Sequence, residues 1–273
     1  MAIPPPIGAM TRVVAHRGMH APAGPVDNSL GAFRSALDAG ADALELDVRR
    51  TRDGVLVVHH DPAVAGSTTS IRNLDFAQLP KLPDGQHVPT LDEVVGLATA
   101  GNSRLVVELK EGGYEREVVD ALRTRMAPDG FELISFSSGS VRAVKAVDPA
   151  LRAGYLAPKM PTWLRESALY PAAVWMLDRA GWHPALNVAA RAGADYVSVD
   201  KRLATPTFLA EAAKRSVPVD VWTVNDAPTM QRLLASGVQS LVTDDAALGV
   251  RLRNAAQGAP APALAPGSTV RAA

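Results

Sequence analysis

The sequence predicts an α/β fold closed into a (β/α)8 barrel, and three observations carry that expectation. The chain is 273 residues long, a length at which α/β barrels often form a single domain. Short apolar runs alternate with amphipathic stretches of helical period, the pattern of a parallel sheet wound with helices. The polar residues able to do chemistry fall at the C-terminal ends of those runs, where barrel enzymes build their sites.

The expected strands are 11–16 (TRVVAH), 41–48 (ADALELDV), 103–110 (SRLVVELK), 131–136 (FELISF), 152–157 (RAGYLA), 195–200 (DYVSVD), 217–224 (VPVDVWTV) and 239–244 (QSLVTD). Helices are expected at 28–40, 90–101, 113–126, 137–149, 205–216 and 226–237. In the first of these Leu30, Phe33 and Leu37 share a face, Asn28 or Ser29 caps the start and Gly40 the end. An extra apolar run, GVLVVH, follows VRRTRDG, and the Asp53-Gly54 pair predicts a hairpin off the second strand. The barrel therefore carries a short hairpin and loop insertion after strand 2. Residues 61–90 are polar and contain proline, and read as a loop at the barrel mouth. Residues 158–190, with Trp163, Trp175 and Trp182, read as a helix with a long substrate-side loop. The barrel domain spans 11–254. Residues 1–10 and the Ala/Pro-rich stretch 255–273 are expected to be disordered, the latter because its composition cannot build a core.

Composition narrows the function. Apolar residues make up 47% of the chain, as in soluble globular proteins. Lys+Arg and Asp+Glu both number 28, so there is no basic excess to favour nucleic acid as a partner. With no cysteine, disulfides and thiolate-held metals are excluded. No run is long and apolar enough to suggest a secretory signal or a transmembrane segment, and a cytoplasmic location is expected.

The candidate chemistry lies at strand ends. VVAH ends on His16, with Arg17 beside it; Glu45 and Asp47 are two apart, and so are Glu108 and Lys110, which puts each pair on one face. Two carboxylates on a strand of Ala, Leu and Val are costly to bury without compensation. A divalent cation, Mg²⁺ or Ca²⁺, would provide it through oxygen ligands, with Glu108 completing the set. The competing reading is an ion pair with Arg49, Arg50 or Lys110. His16 is either a scaffold residue or a proton carrier near neutral pH. Arg17 offers a planar fork to a phosphate, or simply an ion pair. Lys110 holds charge on a substrate oxyanion or neutralises Glu108, and Trp222 is pocket wall or core. His59 and His60 are adjacent, so on a strand they diverge, and alternation does not say which enters the site. Taken together these groups suit phosphodiester cleavage: cationic charge for the phosphoryl oxygens, imidazoles for the protons. A glycosidase built on a carboxylate pair has no use for the histidines.

The pieces AHRG (15–18), DNSLGAFRSALDAGADALELDVRRTRDGVLVVHHDP (27–62), VPTLDEVV (88–95), VVELK (106–110) and VDVWTVND through GVQSLVTDD (219–245) resemble the glycerophosphodiester phosphodiesterase family. They occur in the family's order and span most of the chain. The resemblance implies a TIM barrel. It implies that His16 and His60, the histidine directly before Asp61, are catalytic, that Glu45, Asp47 and Glu108 hold the cation, and that Arg17, Lys110 and Trp222 contact substrate. The implied reaction is metal-dependent hydrolysis of a small-molecule glycerophosphodiester to an alcohol and glycerol 3-phosphate. The nucleophile is either the glycerol 2-hydroxyl, through a cyclic phosphate, or water. The alternatives are a lysophospholipase D-type phosphodiesterase acting on lipids and a non-catalytic phosphate-binding barrel. The chain departs from the family pattern at VDNS (26–29), where Asp27 replaces a glutamate, at AGSTT (65–69), which lacks an arginine, and at GVQSL. The oligomeric state is open.

Overall fold

A computed structural model of the chain describes residues 10–20, 24–158, 176 and 183–256. Its strands are β1 (Arg12–His16), β2 (Ala43–Arg50), β3 (Leu56–Val58), β4 (Arg104–Leu109), β5 (Phe131–Ser135), β6 (Ala153–Leu156), β7 (Tyr196–Asp200), β8 (Val219–Trp222) and β9 (Ser240–Thr243). They pair in the order β1-β9-β8-β7-β6-β5-β4-β2, and β1 pairs with β2 to close the ring. Every pairing within the ring is parallel. β3 stands outside it as the predicted hairpin, antiparallel to β2 with Val48 opposite Val58. Gly54 makes that turn with φ +88°, a value that favours glycine.

The helices are α1 (Leu30–Asp38), α2 (Leu91–Ala100), α3 (Glu115–Arg123), α4 (Ser138–Val147), α5 (Pro184–Ala192), α6 (Pro206–Lys214), α7 (Ala227–Leu234) and α8 (Ala246–Ala256). Side-chain oxygens cap many of their starts: Ser29 accepts from the Ala32 amide, Thr90 from Glu93 within a capping box, Thr205 from Phe208 and Asp226 from Thr229. Each satisfies an amide that lacks a partner in the first turn. α8 was not expected from the sequence. Its buried face is Ala246, Gly249, Val250 and Arg253, a mixture that breaks the apolar stripe by which helices are read. The helix and loop expected at 158–190, with their tryptophans, lie largely outside the described residues, as do the two chain ends; α5 begins near the end of that stretch. The 61–90 segment is a connection at the mouth, as expected, but a packed one. It has two single-turn 3-10 helices and packs its own Val64, Ile71, Leu82 and Val88 against Val57 of β3.

Alternation along the strands sorts side chains into two cores. Leu44, Leu46, Val48, Leu105, Val107 and Leu109 face outward and pack beneath the helices. Val14, Ala43, Val106, Ile134, Leu156, Tyr196 and Val242 face inward and fill the barrel. Gly154 belongs to this inner layer for a steric reason: a β-carbon there would sit 2.3 Å from the Tyr196 ring. Charged side chains lie at the floor (Arg12, Glu132) and at the C-terminal rim, and Asp220, which pairs with Arg12, also reaches the rim cavity.

Candidate active site

The rim begins with strand register. His16 lies opposite Glu45, and Asp47 opposite Glu108, so the three carboxylates share the inner face of β2 and β4. One oxygen from each lies within 4.8 Å of the others. All are buried, at 4% exposure for Glu45, 0% for Asp47 and 7% for Glu108. Burial, and then the charges of Asp47 and Glu108, holds the Glu45 carboxyl well above its ordinary range. Burial and the Asp47 charge push Glu108 up to about 7. Asp47 is buried too, but Lys110, Arg17 and a hydrogen bond from Asn28 outweigh that and bring it down to about 2.

Among the described residues, two cationic side chains answer three carboxylates. Lys110 Nζ lies 2.8 Å from Glu108 and 3.2 Å from Asp47, and Arg17 Nε lies 3.2 Å from Asp47. The other expected ion-pair partners turn away. Arg49 binds Glu111 and the His60 carbonyl, and Arg50 binds Glu117. Asp47 Oδ1, though in ion-pair range of Lys110, closes no hydrogen bond. A hard divalent cation fits this set: oxygen donors only, an excess of negative charge, and an acceptor with a lone pair to spare.

The AHRG run makes the turn that carries Arg17. Arg17 has φ 55° and Gly18 φ 81°, and a β-carbon on Gly18 would lie 2.6 Å from the Ala32 backbone. Only glycine lets the turn press against α1. The Arg17 amide donates to Glu45 Oε2 at 3.0 Å, and Nη1 donates to Asp27 at 3.1 Å. Of the two possible caps of α1, Ser29 takes the role; Asn28 instead donates to Asp47 Oδ2 at 2.8 Å and accepts from the Asp47 amide at 3.3 Å.

Each of the two histidines that line the cavity has one ring nitrogen tied to a carboxylate. His16 Nδ1 is 2.6 Å from Asp244 Oδ1, and His60 Nδ1 is 2.7 Å from Asp61 Oδ1. Such a contact fixes ring orientation and leaves Nε2 as the ring nitrogen not engaged by that carboxylate. Asp244 is held in turn by Asn225, whose Nδ2 donates to Oδ2 at 2.6 Å. Hydrogen bonding to His16 and Asn225, with His20 close by, outweighs the burial of Asp244 and keeps its carboxyl far below the ordinary range. Burial pushes the pKa of His60 down. His59 behaves differently: its Nε2 contacts the Ala63 carbonyl at 3.3 Å, and it does not line the cavity.

That cavity, of about 370 Å³, has a polar wall of His16, Arg17, Glu45, His60, Glu108 and Lys110. Val106, Ile134, Leu156, Trp222 and Val242 form an apolar wall. Phe136 extends it, edge-on to Trp222 with ring centroids 5.7 Å apart. A concave site with one apolar face and converging polar groups is the usual form of a small-molecule pocket. All eight residues singled out from the sequence stand at this rim, and all but Asp47 line the cavity. Sequence reasoning missed Asp244, Asn225, Asn28 and Phe136. Of these, Asp244 lay at the end of the last predicted strand, the position that drew attention elsewhere.

The sequence profile of the glycerophosphoryl diester phosphodiesterase family matches residues 16–248. A glycerophosphodiester phosphodiesterase of Caldanaerobacter subterraneus is 29% identical over 255 residues, covering 86% of this chain and 94% of that protein. A probable glycerophosphodiester phosphodiesterase 2 of Mycobacterium tuberculosis is 28% identical over 247 residues, covering 86% and 88%. The crystal structure of a putative glycerophosphoryl diester phosphodiesterase from Silicibacter pomeroyi superposes with a TM-score of 0.73 at 25% identity, over 92% of this chain and 95% of that one. An Oleispira antarctica phosphodiesterase, solved with the product sn-glycerol-3-phosphate, shares the fold at a TM-score of 0.73 and 20% identity, over 89% and 96%. The chain is thus a TIM barrel that belongs to the glycerophosphoryl diester phosphodiesterase family, and with it to the enzymes that hydrolyse phosphodiesters.

Proposed function

We propose that the protein hydrolyses glycerophosphodiesters to an alcohol and glycerol 3-phosphate, with a divalent cation held by Glu45, Asp47 and Glu108 and with His16 and His60 as the proton carriers. One observation carries the reading: a buried, acid-rich trio borders a cavity lined by two carboxylate-tethered imidazoles in a member of this family. When bound, the cation, Mg²⁺ or Ca²⁺, supplies Lewis-acid charge for the phosphoryl oxygens.

The chain's own groups do the rest. Arg17 spends Nε and Nη1 on Asp47 and Asp27, which leaves Nη2 for a phosphoryl oxygen. Lys110 has three N–H donors and two carboxylate partners, so one donor remains for the same group. His60, kept neutral by burial, takes the proton of the nucleophile, and His16, oriented by Asp244, delivers one to the departing alkoxide. Phe136 and Trp222 wall the side away from the charges and exclude water from it.

The test is turnover of glycerophosphocholine with and without chelator, with the products identified. The account expects choline and glycerol 3-phosphate, formed only with a divalent cation. Metal-independent turnover, or release of choline phosphate, contradicts it. Trapping a cyclic phosphate separates attack by the glycerol 2-hydroxyl from attack by water. Competition between this substrate and a lysolipid diester separates the main reading from lysophospholipase D-type activity.

A further inference from the structure

Next to the carboxylate trio lies a second cluster of different chemistry. His16 Nδ1, His20 Nε2 and an Asp244 oxygen lie within 4.8 Å of one another. Asp244 Oδ1 is 2.6 Å from His16 and 3.4 Å from His20, while Oδ2 is taken by Asn225. A hydrogen bond accounts for the His16 contact. It does not account for His20, whose Nε2 is shielded from solvent yet closes no hydrogen bond. A shielded ring nitrogen that reaches its carboxylate partner only at ion-pair range leaves room for an ion between them.

The donor set says which ion. Two imidazoles and one carboxylate suit zinc and other borderline metals, not the hard Mg²⁺ or Ca²⁺ that three carboxylates favour. Around a tetrahedral zinc with bonds near 2.0–2.2 Å, neighbouring donor atoms stand about 3.3 Å apart. The His20–Asp244 separation of 3.4 Å already meets that spacing. The His16–Asp244 pair reaches it by opening less than about 1 Å. His20 and Asp244 keep side-chain exposures of 28% and 29%, which leaves an ion a way in and a place for a water ligand.

We propose that His16, His20 and Asp244 form a zinc-type metal site, separate from the carboxylate trio, and that Zn²⁺ bound there switches the enzyme off. The ion takes the Nδ1 lone pair of His16 and the Asp244 oxygen that orients it. The proton shared by His16 and Asp244 leaves to solvent, and His16, with Nδ1 on the ion, no longer forms the imidazolium that delivers a proton to the departing alkoxide. The inhibition rests on the hydrolase reading above; the binding of zinc does not.

The experiment titrates Zn²⁺ into the full chain in excess Mg²⁺, reading heat of binding by calorimetry and glycerophosphocholine turnover in parallel, in wild type, His20→Asn and Glu108→Gln. Wild type is expected to bind zinc and to lose turnover over the same concentration range. His20→Asn keeps its Mg²⁺-supported kcat within about twofold and weakens both zinc effects at least tenfold, the change that follows loss of about 1.4 kcal/mol or more of binding. Glu108→Gln, crippled at the carboxylate trio, still binds zinc as wild type does, so failure of the hydrolase reading leaves this result standing. Unchanged zinc binding in His20→Asn, or its loss in Glu108→Gln, would put the ion on the carboxylates and overturn the proposal. Because calorimetry reads binding directly, it decides the case even where a variant's turnover falls.

Discussion

At the floor of the barrel Arg12 lies 2.7 Å from Glu132 and 3.9 Å from Asp220, and Arg152 lies 2.8 Å from Glu132. At the rim, the cationic side chains that Glu45, Asp47 and Glu108 meet among the described residues are Arg17 and Lys110. Both clusters are charged, buried and carried by the same ring of strands. At the floor two guanidinium groups answer two carboxylates and the charges cancel. At the rim a carboxylate is left over, and two histidines face the same cavity. The larger cavity, about 710 Å³, lies beside the floor; the rim cavity is about 370 Å³. Size therefore does not mark the site. Charge imbalance does, because evenly paired charges hold a fold together whereas an excess needs something from outside. This agrees with the general division of labour in barrels, stability at the N-terminal face and chemistry at the C-terminal one.

Four substitutions or conditions can break or sharpen that contrast. The largest effect is expected at the rim. Glu45→Gln removes one ligand of the trio, and losing several kcal/mol of transition-state stabilisation lowers kcat/KM about 10³-fold or more. The melting temperature should not fall, since a repelling charge has gone. A variant that keeps its rate sinks the cation assignment.

At the floor the expectation inverts. Arg12→Met leaves Asp220 with a Gln239 hydrogen bond but no cation and Glu132 with Arg152 alone, and breaking a buried pair costs about 3–5 kcal/mol of stability. Urea unfolding should show that loss, while kcat of the protein still folded stays within about twofold. A selective loss of kcat at the floor would erase the contrast.

The third expectation concerns pH. Burial and Asp47 push Glu108 up to about 7 from an ordinary 4.5, so the folded chain binds this proton more tightly than the unfolded one. Stability contributed by the group is then lost as pH rises from about 4.5 to about 7. In chelator, the melting temperature of wild type should fall more between pH 5 and 8 than that of Glu108→Gln, and added Mg²⁺ should shrink the difference. The opposite slope would mean that the carboxylates are not crowded. Asp47, held near 2, titrates below this window.

The smallest effect belongs to Asp27, which pairs with Arg17 at 3.1 Å and is partly exposed. Exposed pairs contribute about 0–1 kcal/mol, so Asp27→Ala should raise KM no more than about fivefold with kcat unchanged. A larger loss would give the rim a polar partner that the account does not contain.

Much of this was legible in the sequence, for identifiable reasons. Strand alternation put Glu45 beside Asp47, and the Asp53-Gly54 turn pair gave the hairpin. Parallel pairing of consecutive strands then brought Glu108 to Asp47. Asp244 was not legible, because its contact with His16 spans 228 residues and exists only where β9 closes on β1. Asn28 looked like a cap because its neighbour Ser29 is one. The His59/His60 doublet resisted alternation because β3 ends at Val58. The pair lies beyond the strand, where the Arg49 contacts to the His60 carbonyl and the His59 amide bond to Asp47 set its geometry. Family context, not periodicity, singled out His60.

That doublet gives the most direct test of the rim as the catalytic centre. The measurement is kcat/KM for glycerophosphocholine in His60→Ala and His59→Ala, each checked for wild-type melting. The account predicts a loss of about 10²–10⁴-fold in His60→Ala, the range for removing a general acid or base, and a rate within about threefold of wild type in His59→Ala. Equal losses, or a larger one in His59→Ala, would contradict it.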